Sequence, residues 1–253
     1  MKATLKLTMT LVLILNAGSA LAGWNLDDIK AKAADPARDR CSGDIQAGLC
    51  AKVNDKALSN GSIDRAAYDW AQANGWYVTE GLDGIPGSLC KCGCFEASTR
   101  TATGFDTYVL AKDVKPRDSI LALSTDATIS EPSLYQDTVA VTTSGPEVPA
   151  LYVFALENGV MIKVSQNHGM VLADGSVVAA RDVQQGQSFV FVTGEELAIK
   201  TISREKTDFD VVNFSTCGKN TINHVIVAEG VLIGDLSWQN ELESELGNIL
   251  LRN

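Results

Sequence analysis

Two stretches of this chain repeat one another at an offset of 69 positions, and that repeat limits the fold more than any other feature. Leu110-Ala111-Lys112-Asp113-Val114 followed by Ser119-Ile120-Leu121 matches Ala179-Ala180-Arg181-Asp182-Val183 followed by Ser188-Phe189-Val190. Each copy runs basic, acidic, valine, then a polar turn, then an apolar strand. Such a repeat predicts two related halves facing one another, with the cleft between them as a natural site. The surrounding residues favour strands: Tyr108–Leu110, Ser119–Leu123, Thr138–Val141, Leu151–Phe154, Met161–Val164, Phe189–Val192 and His224–Val227 are short, β-branched and separated by Gly, Pro, Asn and Asp. A mainly β domain is expected over residues 90–235.

The preceding residues read differently. Lys2 and Lys6, the apolar run within Thr8–Ala17 and the small residues Ala20 and Ala22 make residues 1–22 an expected secretory leader. The run is too short for a membrane span, and no later segment is long and apolar enough for one. The expectation is an exported chain: periplasmic, cell-surface or extracellular. Removing the leader takes away two lysines and no acid, moving the net charge from −10 to −12. That balance lacks the basic footprint of a nucleic-acid binder.

Residues 23–89 are expected to form a small helical domain. Leu26, Ile29 and Ala33 fall at helix spacing; Ser62 is the expected cap of a helix whose face is Ile63, Ala66, Ala67, Trp70 and Ala73, stopped by Asn74-Gly75. After Val78, the Gly- and Pro-rich stretch to Ser88 reads as a linker. Residues 236–253 suit a terminal amphipathic helix with Leu242, Leu246, Ile249 and Leu250 on one face.

Six cysteines in an exported chain point first to disulfides. Cys41 and Cys50 are close enough to close a small loop, and that staple suits a unit with a thin core. Cys90, Cys92, Cys94 and Cys217 remain. The one-residue spacing of the cluster suits structural zinc poorly, so no metal is expected, and no motif calls for a cofactor.

Gly93-Cys94 stands where helical character gives way to strands. A thiol beside the carbonyl of its own preceding residue can attack that peptide bond if another group manages the nitrogen's proton. Gly93-Cys94-Phe95 with Tyr108–Leu121, then Ser165-Gln166-Asn167-His168 with Val171–Gly175 and Ala180–Val183, then Asn223-His224 with Gly230–Asp235 resemble, in order, three blocks of the Hint domain. That is the self-processing module of hedgehog proteins and inteins. The layout resembles hedgehog precursors more than inteins. The resemblance implies an all-β horseshoe of two pseudo-symmetric halves and an N-to-S acyl shift at Cys94, cutting Gly93–Cys94 and releasing the segment before it. The substrate is then the chain's own polypeptide, and water or a small nucleophile resolves the thioester. It gives His168 the role of proton donor to the leaving nitrogen and places Ser165, where the family has threonine, beside the scissile peptide. His224 and Asp235 become possible accessories.

The departures are informative. Arg117 stands at a tight turn where the family commonly has glycine, which implies a turn of different shape. Thr143 falls near the position of a hedgehog aspartate. Gly234-Asp235 replaces the intein His-Asn pair, so full splicing is not expected. The competing reading is a Hint-like β domain whose chemistry has lapsed, serving as a disulfide-stabilised exported binding or structural module. In an oxidising compartment, Cys90, Cys92 or Cys217 is expected to hold Cys94 in a disulfide until it is reduced.

Overall fold

The computed structural model describes residues 23–35, 52–80, 85–91, 94–147, 149–239, 242 and 245–247. The expected leader, the proposed Cys41–Cys50 bridge, Cys92 and Gly93 lie outside the described residues.

The first unit contains helices α1 (Leu26–Ala34), α2 (Lys52–Ser59) and α3 (Arg65–Asn74), then strands β1 (Trp76–Glu80) and β2 (Pro86–Lys91). Helix α1 starts in a capping box: the Asn25 side chain accepts from Asp27 N and Asp28 N, and Asp28 accepts from Asn25 N. Helix α3 is capped by Asp64 rather than Ser62, with the carboxylate accepting from Ala67 N at 2.7 Å. Gly75, at φ +67°, ends it in the left-handed conformation. The stretch read as a linker is instead a hairpin, with Trp76 opposite Lys91 and Val78 opposite Leu89. Pro86, Gly87 and Ser88 lie in β2: Gly- and Pro-rich composition alone does not separate the start of a strand from a boundary.

Side-chain alternation along this hairpin joins the two parts of the molecule. Trp76, Val78 and Leu89 face the helices and pack with Ile29, Ala57, Ile63, Ala67 and Ala71. Tyr77 and Cys90, one position along, face the other way and pack with Cys94, Leu151, Val211 and Leu236. Buried Asn54 locks α2 to β1: its Nδ2 donates to Trp76 O at 2.9 Å, and its Oδ1 accepts from Val78 N at 2.8 Å.

The remaining strands are β3 (Phe95–Glu96), β4 (Arg100–Gly104), β5 (Thr107–Leu110), β6 (Ser119–Leu123), β7 (Leu134–Pro146), β8 (Leu151–Leu156) and β9 (Met161–Val164). They continue with β10 (Gly169–Val171), β11 (Val177–Ala179), β12 (Ser188–Val190), β13 (Glu196–Glu205), β14 (Asp210–Thr216), β15 (Val225–Ala228) and β16 (Val231–Gly234). The domain is mainly β, and its named pairings are antiparallel, in the order β11-β10-β16-β15-β6-β7-β14-β3-β9-β8-β13-β12, with β4 against β15 and β5. The long strand β7 pairs with β6 at its start and with β14 at its end, and β13 likewise serves β12 and then β8. One apolar cluster, including Phe95, Ile120, Phe154, Phe189, Phe214 and Ile226, runs through both halves.

Among the described residues, the expected C-terminal helix is not continuous. Leu236–Gln239 form a 3-10 turn that drives Trp238 wholly into the core. A Cβ on Gly169 would lie 2.8 Å from Trp238 Cβ, and one on Gly234 2.6 Å from the indole, so both glycines make room for it. Leu242 and Leu246 still pack on that core, and Gly247 N donates to Val177 O.

The repeat seen in the sequence is a repeat in three dimensions, and its 69-residue offset holds bond by bond. Ala111 N donates to Thr99 O and Ala180 N to His168 O, each at 2.8 Å. Lys112 N donates to Ala97 O at 3.2 Å, and Arg181 N to Gln166 O at 3.1 Å. Lys115 N finds Asp118 Oδ2 at 2.8 Å, and Gln184 N finds Gln187 Oε1 at 2.7 Å. The halves meet where Phe95 pairs with Val164, residues that are themselves 69 apart, so a pseudo-two-fold axis passes through this pair.

The repeat also corrects the reading of Arg117. Its turn is not of a different shape: Arg117 sits at φ +79°, and its counterpart Gly186 sits at φ +90°. An L side chain held there costs on the order of 1 kcal/mol. Arg117→Gly is expected to change stability by up to about 1 kcal/mol in the stabilising direction, because relief of strain outweighs the added freedom of the unfolded chain. A lower denaturation midpoint for the variant would refute this.

Candidate active site

The pseudo-two-fold sets Cys94 against Ser165. Because β3 and β9 pair through Phe95 and Val164, the preceding Cys94 and following Ser165 are neighbours, and two bonds tie them together. Cys94 N donates to Ser165 Oγ at 2.7 Å, while Ser165 N donates to Cys94 O at 2.9 Å. The first bond holds the nitrogen of the peptide linking residues 93 and 94. Both residues are buried.

His168 enters through the turn that Ser165 opens. Its N–H donates to Ser165 O at 3.1 Å, and its ring lies 4.2 Å from that of Phe95, centroid to centroid. The ring is wholly buried. The structure therefore brings together three of the residues singled out by sequence: Cys94 just before β3, Ser165 just after β9, and His168 in the turn that Ser165 opens.

His224 and Asp235 form a second group. Asp235 accepts from His224 Nδ1 at 2.8 Å, from Thr216 N at 2.9 Å, from Thr216 Oγ1 at 3.1 Å and from Ser237 N at 2.8 Å. Trp238 Nε1 donates to His224 O at 3.2 Å. The pair fixes the last turn of the sheet. Met170 opposite Ile233 carries His168, two residues before, towards Asp235, two residues after.

The cysteines are corrected in two respects. Cys94 is a free thiol, so no neighbour holds it in a disulfide, and Cys217 is likewise free, and exposed. Cys90 is disulfide-bonded. Among the described residues, no three His, Cys, Asp or Glu side chains form a group able to hold a metal ion.

Sequence reasoning missed two contributions. Asn167 reaches out of the His168 turn: its Nδ2 donates to Gly75 O at 3.3 Å, and Arg181 donates to its Oδ1. A Cβ on Gly75 would come within 3.1 Å of both Asn167 Nδ2 and Gln166 Nε2. The C-terminus of α3 thus rests on the turn that carries His168. The other contribution is Glu147, buried just beyond β7. Burial pushes its carboxyl up from an ordinary 4.5 to about 8, which nearby Arg204 only partly offsets. Burial likewise raises the Cys94 thiol well above its ordinary value, and the Glu147 charge adds to that shift. Tyr77 is raised by burial, by Glu147 and by Cys94, in that order. In sequence, Glu147 lies in Gly145-Pro146-Glu147-Val148-Pro149, where an acid reads as an exposed loop residue.

No protein-family model and no curated protein matches the chain. Among solved structures, an intein-like domain from Clostridium thermocellum is similar at 21% identity and a TM-score of 0.47, over 56% of this chain and 98% of that one. A DnaB intein from Synechocystis sp. PCC 6803 is similar at 15% identity and the same TM-score, again over 56% and 98%. The gp41-1 intein is similar at 14% identity and a TM-score of 0.46, with the same coverage.

Proposed function

We propose that this chain is an exported, Hint-type self-processing protein that cuts its own Gly93–Cys94 bond. Cys94 Sγ attacks the Gly93 carbonyl carbon and the new C–S bond forms. The C–N bond then breaks as Cys94 N takes a proton, leaving a thioester that water or a small nucleophile resolves. An amide is more stable than a thioester, and its nitrogen leaves poorly unless protonated, so the site must hold that nitrogen and supply the proton. Ser165 holds it, through the 2.7 Å bond from Cys94 N, and this contact carries the reading. His168, bonded to Ser165 through the backbone, is the proton donor. Gly234-Asp235, in place of His-Asn, provides no side-chain amide nitrogen for cutting a downstream bond, so the proposed chemistry ends with upstream cleavage.

A second reading, a β domain whose chemistry has lapsed, is favoured by the burial of a protonated thiol at Cys94. One experiment separates the two. The purified chain carrying residues 23–253 is incubated with a small thiol and followed by mass spectrometry under denaturing conditions. The expected product is a fragment ending at Gly93, absent from Cys94→Ala. An unchanged wild-type mass would overturn the proposed reaction and leave the lapsed domain.

A further inference from the structure

The buried thiol poses a problem that Ser165 and His168 do not solve. Attack requires sulfur to lose its proton, and a thiol shielded from water holds that proton tightly. A base must therefore share the pocket.

Glu147 has the right placement. It stands just past the end of β7 and four positions before Leu151, which belongs to the same buried cluster as Cys94, Tyr77 and Val211. The side chain is buried, with 8% of its surface exposed, and its Oε2 has no hydrogen-bond partner among the described residues. A buried carboxyl oxygen without a partner is costly and has no structural return here. Arg204, the cation that partly offsets its shift, does not claim it. Arg204 donates through Nε and Nη2 to Ala150 O, at 3.0 and 2.5 Å, and stacks 4.0 Å from the Tyr152 ring. Among the described residues, the titratable and charged groups that act electrostatically with Glu147 are Cys94, Tyr77 from β1 and Arg204 from β13.

We propose that Glu147 is the base that accepts the Cys94 thiol proton as sulfur attacks the Gly93 carbonyl. The S–H bond breaks and its proton goes to the Glu147 carboxylate; the C–S bond forms; then the C–N bond breaks as Cys94 N takes a proton from His168. One proton leaves sulfur and one arrives at nitrogen, so the shift needs no oxidant or reductant. Its two proton carriers re-equilibrate with solvent afterwards. The inference rests on the acyl shift proposed above.

A pH dependence follows. With its carboxyl raised to about 8, Glu147 is mainly protonated at neutral pH and becomes a base as the pH rises through that value. The cleavage rate should climb as the pH rises through a midpoint near 8. The same group makes the fold pH-sensitive. The unfolded chain gives up this proton near 4.5 and the folded chain near 8, so stability falls between those values and is constant above them.

The test is Glu147→Gln in the full chain, with saturating hydroxylamine intercepting the thioester and rates measured from pH 6 to 9. The variant should cleave roughly a hundredfold more slowly at pH 7.5 and lose the midpoint near 8. Its stability should no longer fall between pH 4.5 and 8. Glu147→Asp, which keeps a carboxylate on a shorter arm, should retain the midpoint at a reduced rate, and it serves if the glutamine variant fails to fold. Removing a negative charge beside a thiol would, on electrostatics alone, ease ionisation and speed cleavage. A Glu147→Gln rate equal to or above wild type therefore overturns the assignment, while wild-type cleavage leaves the acyl shift standing. A wild type that never cleaves overturns both.

Discussion

His168→Ala is expected to slow cleavage at Cys94 by roughly a hundred- to ten-thousand-fold, the range that one positioned proton donor supplies. Once sulfur has added to the carbonyl, collapse can expel either sulfur or nitrogen, and unprotonated nitrogen is much the poorer leaving group. His168 sits in the Ser165 turn, wholly buried against Phe95. Removing the ring leaves a void beside Phe95 but spares the backbone bonds from His168 N to Ser165 O and from Ala180 N to His168 O, so the turn persists. The check is a rate measurement with hydroxylamine as the trap, alongside a chemical denaturation curve. A rate equal to wild type would remove His168 from the reaction.

The second large effect concerns stability. Asp235 is wholly buried, and its carboxylate accepts from four donors: His224 Nδ1, Thr216 N, Thr216 Oγ1 and Ser237 N. Asp235→Ala takes the shared acceptor away from all four in a site with little access to water, an expected loss of about 3 kcal/mol, since Thr216 Oγ1 can still turn to Asn223 O. Asp235→Asn keeps the volume, and its carbonyl oxygen in the place of Oδ2 can still accept from His224 Nδ1, Thr216 N and Thr216 Oγ1, so it should recover much of that loss, with its N–H₂ group facing only Ser237 N. Equilibrium urea unfolding measures both. A loss below about 1 kcal/mol for the alanine variant would mean that water or a local shift satisfies the stranded groups.

What the sequence revealed and what it hid can be traced to particular residues. The 69-residue repeat was legible because its motif is local: a 3-10 turn, a polar reversal and a strand, each with its own residue preferences. Strands β6, β8 and β9 were legible for the same reason. Strands β13 and β14 were not, since Lys200-Thr201 and Arg204-Glu205 on the former are exposed and no apolar alternation marks that end. The spacing of Leu242 and Leu246 correctly marked them as core-facing but misled about the backbone, because the burial of Trp238 ends the helix that the spacing suggested. Cys94, Ser165 and His168 were singled out by their ordered blocks, and the structure sets Cys94 beside Ser165 and His168 in the Ser165 turn. Glu147 and Asn167 were not, because what makes them unusual is the burial of one and the docking of the other, and both depend on residues distant in sequence.

The contact between Gly75 and Asn167 changes what cutting the chain would look like. The first unit is tied to the β domain by more than the peptide at Gly93: Tyr77 and Cys90 fill the apolar patch around Cys94, and the end of α3 rests on the His168 turn. Breaking one covalent bond leaves that whole interface in place. The two products would then remain together as a nicked heterodimer, with the hydrodynamic size of the uncut chain. What has been read as a release reaction would be a maturation step, in which the two pieces gain independent ends while keeping a shared core.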